Sequence, residues 1–168
     1  MAIRGVLFDK DGTLIESSAT WVPIYKTFLA EVHEDGPDGV NALMVKAGYD
    51  EASDSFLAGG ILAAGTTKQA MEIWWPHLDA AGIDKKCQLL DHDYAPLARD
   101  LMKPLMPLIP IFDELHALGL QLGVATNDTF RSATNHMVDL GVHDYFVELI
   151  GSDSVAVPKP SGQMIARF

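Results

Sequence analysis

The 168-residue chain has one cysteine, few basic residues and no extended apolar run. A lone Cys87 cannot close an internal disulfide, which fits a reducing compartment. No apolar stretch approaches the ~20 residues that a membrane-crossing helix needs. Lys and Arg total 12 against 23 Asp and Glu, leaving a formal net charge of −11 and a pI near 4.7. Phosphate backbones are gripped by clustered cations, and no basic run occurs, so neither nucleic acid nor an anionic membrane is an expected partner. There are no repeats, no low-complexity segments and no N-terminal signal pattern, since Arg4 interrupts a short strand-like stretch. What is present is enough apolar material, 48% of residues, to bury a substantial core. The expectation is a cytoplasmic globular protein: one domain, or one domain carrying an insertion.

Residues 3–8, IRGVLF, read as a buried strand, and a glycine turn follows at once. Ser17 and Ser18 predict the start of a helix over about 18–33, with Trp21, Ile24, Tyr25, Phe28 and Leu29 on one face. A short helix is expected over 38–47, ending before Gly48. The stretch 52–65 mixes small residues with glycines and predicts nothing definite. Residues 66–80 read as helical, and 85–102 as partly helical around a break or start at Pro96. Prolines at 104, 107 and 110 suggest a stiff linker. Beyond it the pattern changes to a helix over 111–118 with Ile111, Phe112, Leu115 and Leu118 inward. A strand at 120–125, a helix at 129–140 and a strand at 146–151 follow. This alternation predicts an α/β fold with a parallel sheet. The first strand belongs to that sheet, so the residues between form a helical insertion.

In open parallel sheets, ligands bind at the carboxyl ends of the strands. Three such ends carry reactive side chains: Asp9-Lys10-Asp11-Gly12-Thr13, Thr126-Asn127-Asp128, and Lys159 within VPKP. Two carboxylates this close repel each other, and burying them is costly unless a cation compensates. A carboxylate can act as a nucleophile, and a second one two residues away can give and take a proton. Thr126 and Asn127, with backbone N–H groups, can hold an anion, and Lys159 can offset the gathered charge. Mg²⁺ suits such an oxygen-rich set, and phosphoryl transfer suits it chemically, being mostly positioning and charge stabilisation.

DKDGTL at 9–14, ATN at 125–127 and PKP at 158–160, in that order, resemble the haloacid dehalogenase-like (HAD) superfamily, most closely its phosphoglycolate phosphatase-like members. The resemblance implies a Rossmann-like α/β core over 1–15 and 107–168, with a helical cap over 16–106 that excludes water and selects substrate. It implies Asp9 as nucleophile, Asp11 as general acid/base and Lys159 as the stabiliser of the phosphoenzyme. Thr126, Asn127, Gly12 and Thr13 would contact phosphate, and Mg²⁺ would sit on the Asp9 side chain and the Asp11 carbonyl. An aspartate at position 11 favours phosphate ester hydrolysis over dehalogenation or phosphonate cleavage. The implied activity is Mg²⁺-dependent hydrolysis of a small phosphate monoester, phosphoglycolate first.

The family carries a further acidic pair on a later strand, completing its metal site. The helix and strand leading there need roughly 17 residues at average lengths. Nine residues follow Lys159, and SGQMIARF contains no acid. The expectations drawn from this are a C-terminally incomplete core, a weakened metal site, impaired catalysis, and an exposed sheet edge beside the first strand through which copies associate. Rival readings are a sugar-phosphate phosphomutase of the same superfamily, a receiver-type signalling module, and a non-catalytic HAD-like protein. Asp91-His92-Asp93 reads as a polar loop rather than metal ligands, lacking a further His or Cys at ligand spacing. Trp74-Trp75 reads as core, Gly59-Gly60 as a flexible loop near the active site, Asp153 as a residue that approaches the site, and Cys87 as an inert thiol.

Overall fold

A computed structural model describes residues 3–168. In chain order its elements are β1 (Gly5–Phe8), α1 (Ser17–Val32), α2 (Gly36–Lys46), β2 (Tyr49–Asp50), β3 (Ser55–Phe56), α3 (Ile61–Ala64), α4 (Thr67–Trp74), α5 (Ala80–Leu89), α6 (Leu108–Ala117), β4 (Gln121–Ala125), α7 (Phe130–Asp139), β5 (Phe146–Ile150) and α8 (Gln163–Arg167). A π-turn at Leu90–Tyr94 and a 3₁₀ segment at Ala95–Asp100, opened by Pro96, follow α5. The chain divides into two compact units, Met1–Glu16 with Lys103–Phe168, and Ser17–Met102. Among the described residues no helix is long and apolar enough to cross a membrane.

The first unit is built on a parallel sheet in the order β1-β4-β5. Phe8 lies opposite Val124, and Ala125 opposite Ile150, so the three strands end at one edge. Within the described residues β1 has a strand on one side only, which makes it an edge strand. Leu108 and Phe112 of α6, Leu122 and Val124 of β4, Met137 of α7 and Leu149 of β5 close the core with Leu14. The prolines expected to stiffen a linker do other work. Pro104 pairs with Ile15 in an antiparallel bridge. Pro107 caps α6, and Pro110 lies in its first turn, where no N–H partner is lost. The helix therefore starts earlier than the sequence pattern suggests. Leu118, expected inward, is exposed because it follows the last helical residue and leaves the apolar face.

The second unit is mostly helical. Trp21, Ile24, Tyr25, Phe28 and Leu29 of α1 are buried, as their spacing predicts, and pack with Trp74 and Trp75. The helix expected over 66–80 stops at Trp74, and a new helix, α5, begins at Ala80. Trp75, preceding Pro76, leaves the helical region at φ −126°, as proline imposes on its neighbour. Asp79 then starts α5 by accepting the Gly82 N–H at 2.8 Å. Thr66 and Gln69 close α4 in a reciprocal capping box. The indefinite stretch 52–65 contains part of a two-residue hairpin pairing and the short α3. Ser18 Oγ accepts the Phe56 N–H at 3.1 Å.

Candidate active site

All the residues singled out at strand ends lie in the first unit. β1 delivers Asp9 and Asp11. Gly12, at φ +77°, allows the immediate turn that a side chain would strain. The turn consumes its own backbone donors: the Gly12 N–H donates to Ile15 O at 2.8 Å and the Thr13 N–H to Lys10 O at 3.3 Å. Gly12 and Thr13 thus shape the loop around the carboxylates.

Asp9 is about half exposed, with 47% of its side chain accessible. Its Oδ1 accepts from Lys159 Nζ at 2.5 Å and from the Lys10 N–H at 2.8 Å. The lysine reaches it from the loop after β5. That loop is fastened to the end of β4 by a two-way pairing. Asn127 Nδ2 donates to the Lys159 carbonyl at 3.0 Å, and the Lys159 N–H donates to Asn127 Oδ1 at 3.0 Å. Asn127, expected to bind phosphate, thus has its side chain engaged in holding Lys159. Thr126, buried at the end of β4, points its Oγ1 at Asp11 Oδ2 at 3.5 Å and accepts the Asp128 N–H at 3.1 Å. Asp153, expected to approach the site, accepts the Phe130 N–H at the start of α7, 2.8 Å away. His92 and Asp93 contact each other in the second unit.

Three residues that the motif reading did not assign complete the cluster. Lys10 is fully buried. Its Nζ lies 2.8 Å from Asp11 Oδ2, 3.2 Å from Asp128 Oδ2 and 3.1 Å from His136 Nδ1. Burial pulls this ammonium toward neutrality, but Asp11 and Asp128 outweigh it and its pKa ends raised. His136 is pushed the other way, down to about 4, by burial first and then by the charge of Lys10. The signal for Lys10 was the need for a cation between two carboxylates. His136 carried none, being one of several histidines on amphipathic faces.

Mg²⁺ asks for oxygen donors, and it commonly uses one or two carboxylates with water and substrate phosphate filling the rest. Asp9, half exposed beside the sheet edge, and the Asp11 carbonyl meet that requirement in kind. Among the described residues no group of three His, Cys, Asp or Glu is gathered for a metal. The donors present therefore fit an ion completed by substrate and water, not an all-protein cage.

The family model for haloacid dehalogenase-like hydrolases matches residues 3–168. The phosphoglycolate phosphatase of Yersinia pestis is 30% identical over 159 residues, covering 95% of this chain and 63% of that protein. The phosphoglycolate phosphatase of Rhodobacter capsulatus is 27% identical, over 95% of this chain and 67% of its own length. The chain thus spans 63% of the length of the Yersinia relative. Among solved structures, CbbY from Rhodobacter sphaeroides in complex with phosphate superposes with a TM-score of 0.70 at 18% identity, covering 99% of this chain and 71% of that one. A HAD phosphatase from Thermococcus onnurineus gives 0.62 at 20% identity, covering 98% and 69%. At these identities the structural likeness speaks for the fold.

Proposed function

We propose a phosphatase function for this chain, which belongs to the haloacid dehalogenase-like hydrolase family. The substrate is a small phosphate monoester, with phosphoglycolate the first candidate, since relatives matched across nearly the whole chain are phosphoglycolate phosphatases. One observation carries the assignment of roles. The exposed Asp9 is paired with Lys159 at 2.5 Å, at the sheet edge where Asp11 and Thr126 also meet.

In this reading an Asp9 oxygen attacks phosphorus and forms an aspartyl phosphate. The bond from phosphorus to the ester oxygen breaks, and Asp11 gives that oxygen its proton. Water then attacks the aspartyl phosphate and passes a proton to Asp11, so phosphate leaves and Asp9 is regenerated. Lys159 offsets the charge that builds on Asp9 and the phosphoryl group. Thr126 faces the same space. Asn127 contributes by holding the Lys159 loop. Mg²⁺, held by Asp9 and the Asp11 carbonyl, would draw charge from the phosphoryl oxygens.

The test is phosphate release from phosphoglycolate and p-nitrophenyl phosphate with and without Mg²⁺, by the chain and by Asp9→Asn. We expect release that needs Mg²⁺ and falls by at least about a thousandfold in the variant, as loss of a covalent nucleophile requires. Equal release by both proteins refutes the role of Asp9.

A further inference from the structure

The proposed reaction uses Asp11 twice, yet a carboxylate on a turn needs something to aim it. The side chain best placed to do so is Lys10, which that reaction does not otherwise employ. An ammonium has three N–H donors and no acceptor. Three groups stand around the Lys10 ammonium: Asp11 Oδ2 at 2.8 Å, His136 Nδ1 at 3.1 Å and, as an ion-pair partner, Asp128 Oδ2 at 3.2 Å.

Two of these groups belong to α7 and its start. Asp128 Oδ1 accepts the Thr129 N–H at 2.8 Å, at the N-terminus of α7. His136 lies on the buried face of the same helix, 2% exposed, and its depressed pKa keeps the ring neutral, so that Nδ1 can accept from Lys10. The third group, Asp11, is 20% exposed and stands on the turn after β1. The lysine therefore links α7 to the carboxyl group on the turn after β1. Filling space does not account for it, because an apolar chain would fill the same volume and leave Asp11 and Asp128 facing each other uncompensated.

We propose that Lys10 is the positioning residue for Asp11: seated on Asp128 and His136, it holds the carboxyl group by Oδ2, so that Oδ1 carries the proton that the departing ester oxygen collects and takes one back from water in the second step. This rests on the phosphatase reading above. It makes a prediction that mere structural support does not. An alkoxide leaving group needs the proton, whereas p-nitrophenolate departs without it. The ratio kcat/KM reports the steps up to the first irreversible one, here formation of the aspartyl phosphate.

The experiment compares Lys10→Met with the unaltered chain on both substrates. We expect kcat/KM to fall on phosphoglycolate by about a hundredfold, the scale of a general acid's contribution, and on p-nitrophenyl phosphate at least about tenfold less. The double variant Lys10→Met/Asp128→Asn removes the stranded carboxylate and is the protein to read if the first does not fold. It should regain activity on p-nitrophenyl phosphate and stay deficient on phosphoglycolate. Equal losses on both substrates, or a double variant restored on phosphoglycolate, overturn the positioning role while the phosphatase reading stands. An unaltered chain no more active than Asp9→Asn overturns the phosphatase reading, and this inference falls with it.

Discussion

The two-way pairing of Asn127 with the main chain of Lys159 makes a measurable demand. Asn127 is 8% exposed, and both hydrogen bonds are 3.0 Å long. Each such bond contributes about 1 kcal/mol net, so Asn127→Ala should cost the first unit about 2 kcal/mol. For a unit of under a hundred residues that is about 8–16 °C in Tm, and it is read as ΔΔG by urea titration under far-UV circular dichroism. Trp21, Trp74 and Trp75 are the chain's 3 tryptophans, and all belong to the second unit. Fluorescence therefore follows the other unit and serves as an internal control. Asn127→Asp sharpens the test. It keeps an acceptor for the Lys159 N–H but turns an oxygen toward the Lys159 carbonyl, so it should be no more stable than Asn127→Ala. A ΔΔG below about 0.5 kcal/mol for Ala, or a fully stable Asp variant, refutes the pairing as the fastener of the lysine loop.

Three further outcomes follow from the same structure. Burial first, then nearby acids, push the Cys87 thiol up to about 12. Iodoacetamide at pH 8 should label the native chain about a thousandfold more slowly than a free thiol of pKa ~8.5, and labelling at the free rate counts against this burial. His136 has a folded pKa of about 4 against ~6.5 unfolded, so the unfolded chain takes up the proton first as pH falls. Its contribution is whole above pH ~6.5 and is lost toward pH ~4, by up to about 3 kcal/mol. The urea midpoint should drop across that window and flatten in His136→Asn, while parallel profiles sink the argument. Thr66→Ala breaks the capping box of α4 and should cost about 1 kcal/mol, seen by tryptophan fluorescence; an unmoved midpoint contradicts the cap.

Much of this molecule is legible where one local rule acts alone. Short apolar runs bounded by turn signals locate β1, β4 and β5, and a 3.6-residue period picks out the buried face of α1. That Asp9, Asp11, Thr126 and Lys159 come close together is legible because a parallel sheet gathers its carboxyl ends. Legibility fails where two rules compete. Pro107 and Pro110 read as linker residues, yet both are compatible with a helix start. The period over 66–80 continues through Pro76, and the proline wins. Asn127 shows a third limit. Its type suits phosphate binding, but its partner is a main-chain segment after β5, and only the fold brings the two together. Lys10 and His136, separated by 126 positions, meet for the same reason.

The antiparallel closure beside Pro104 bears on how the molecule is assembled. The Glu16 N–H donates to Lys103 O at 2.9 Å, and the Leu105 N–H donates to Leu14 O at 3.0 Å. The second unit thus leaves and rejoins its host at neighbouring points. β1 leaves the ribosome before β4 and must wait for it, because the entire inserted unit is synthesised between them. Pairing strands so distant in the chain is slow when the intervening segment is loose, because its closure entropy precedes any contact. An inserted unit that folds first, as contiguous units do during synthesis, shrinks that loop to a short bridge. Residues Ser17–Met102 then act as an internal assembly aid: they bring β1 to its partner, and any insert whose two ends lie equally close could take their place.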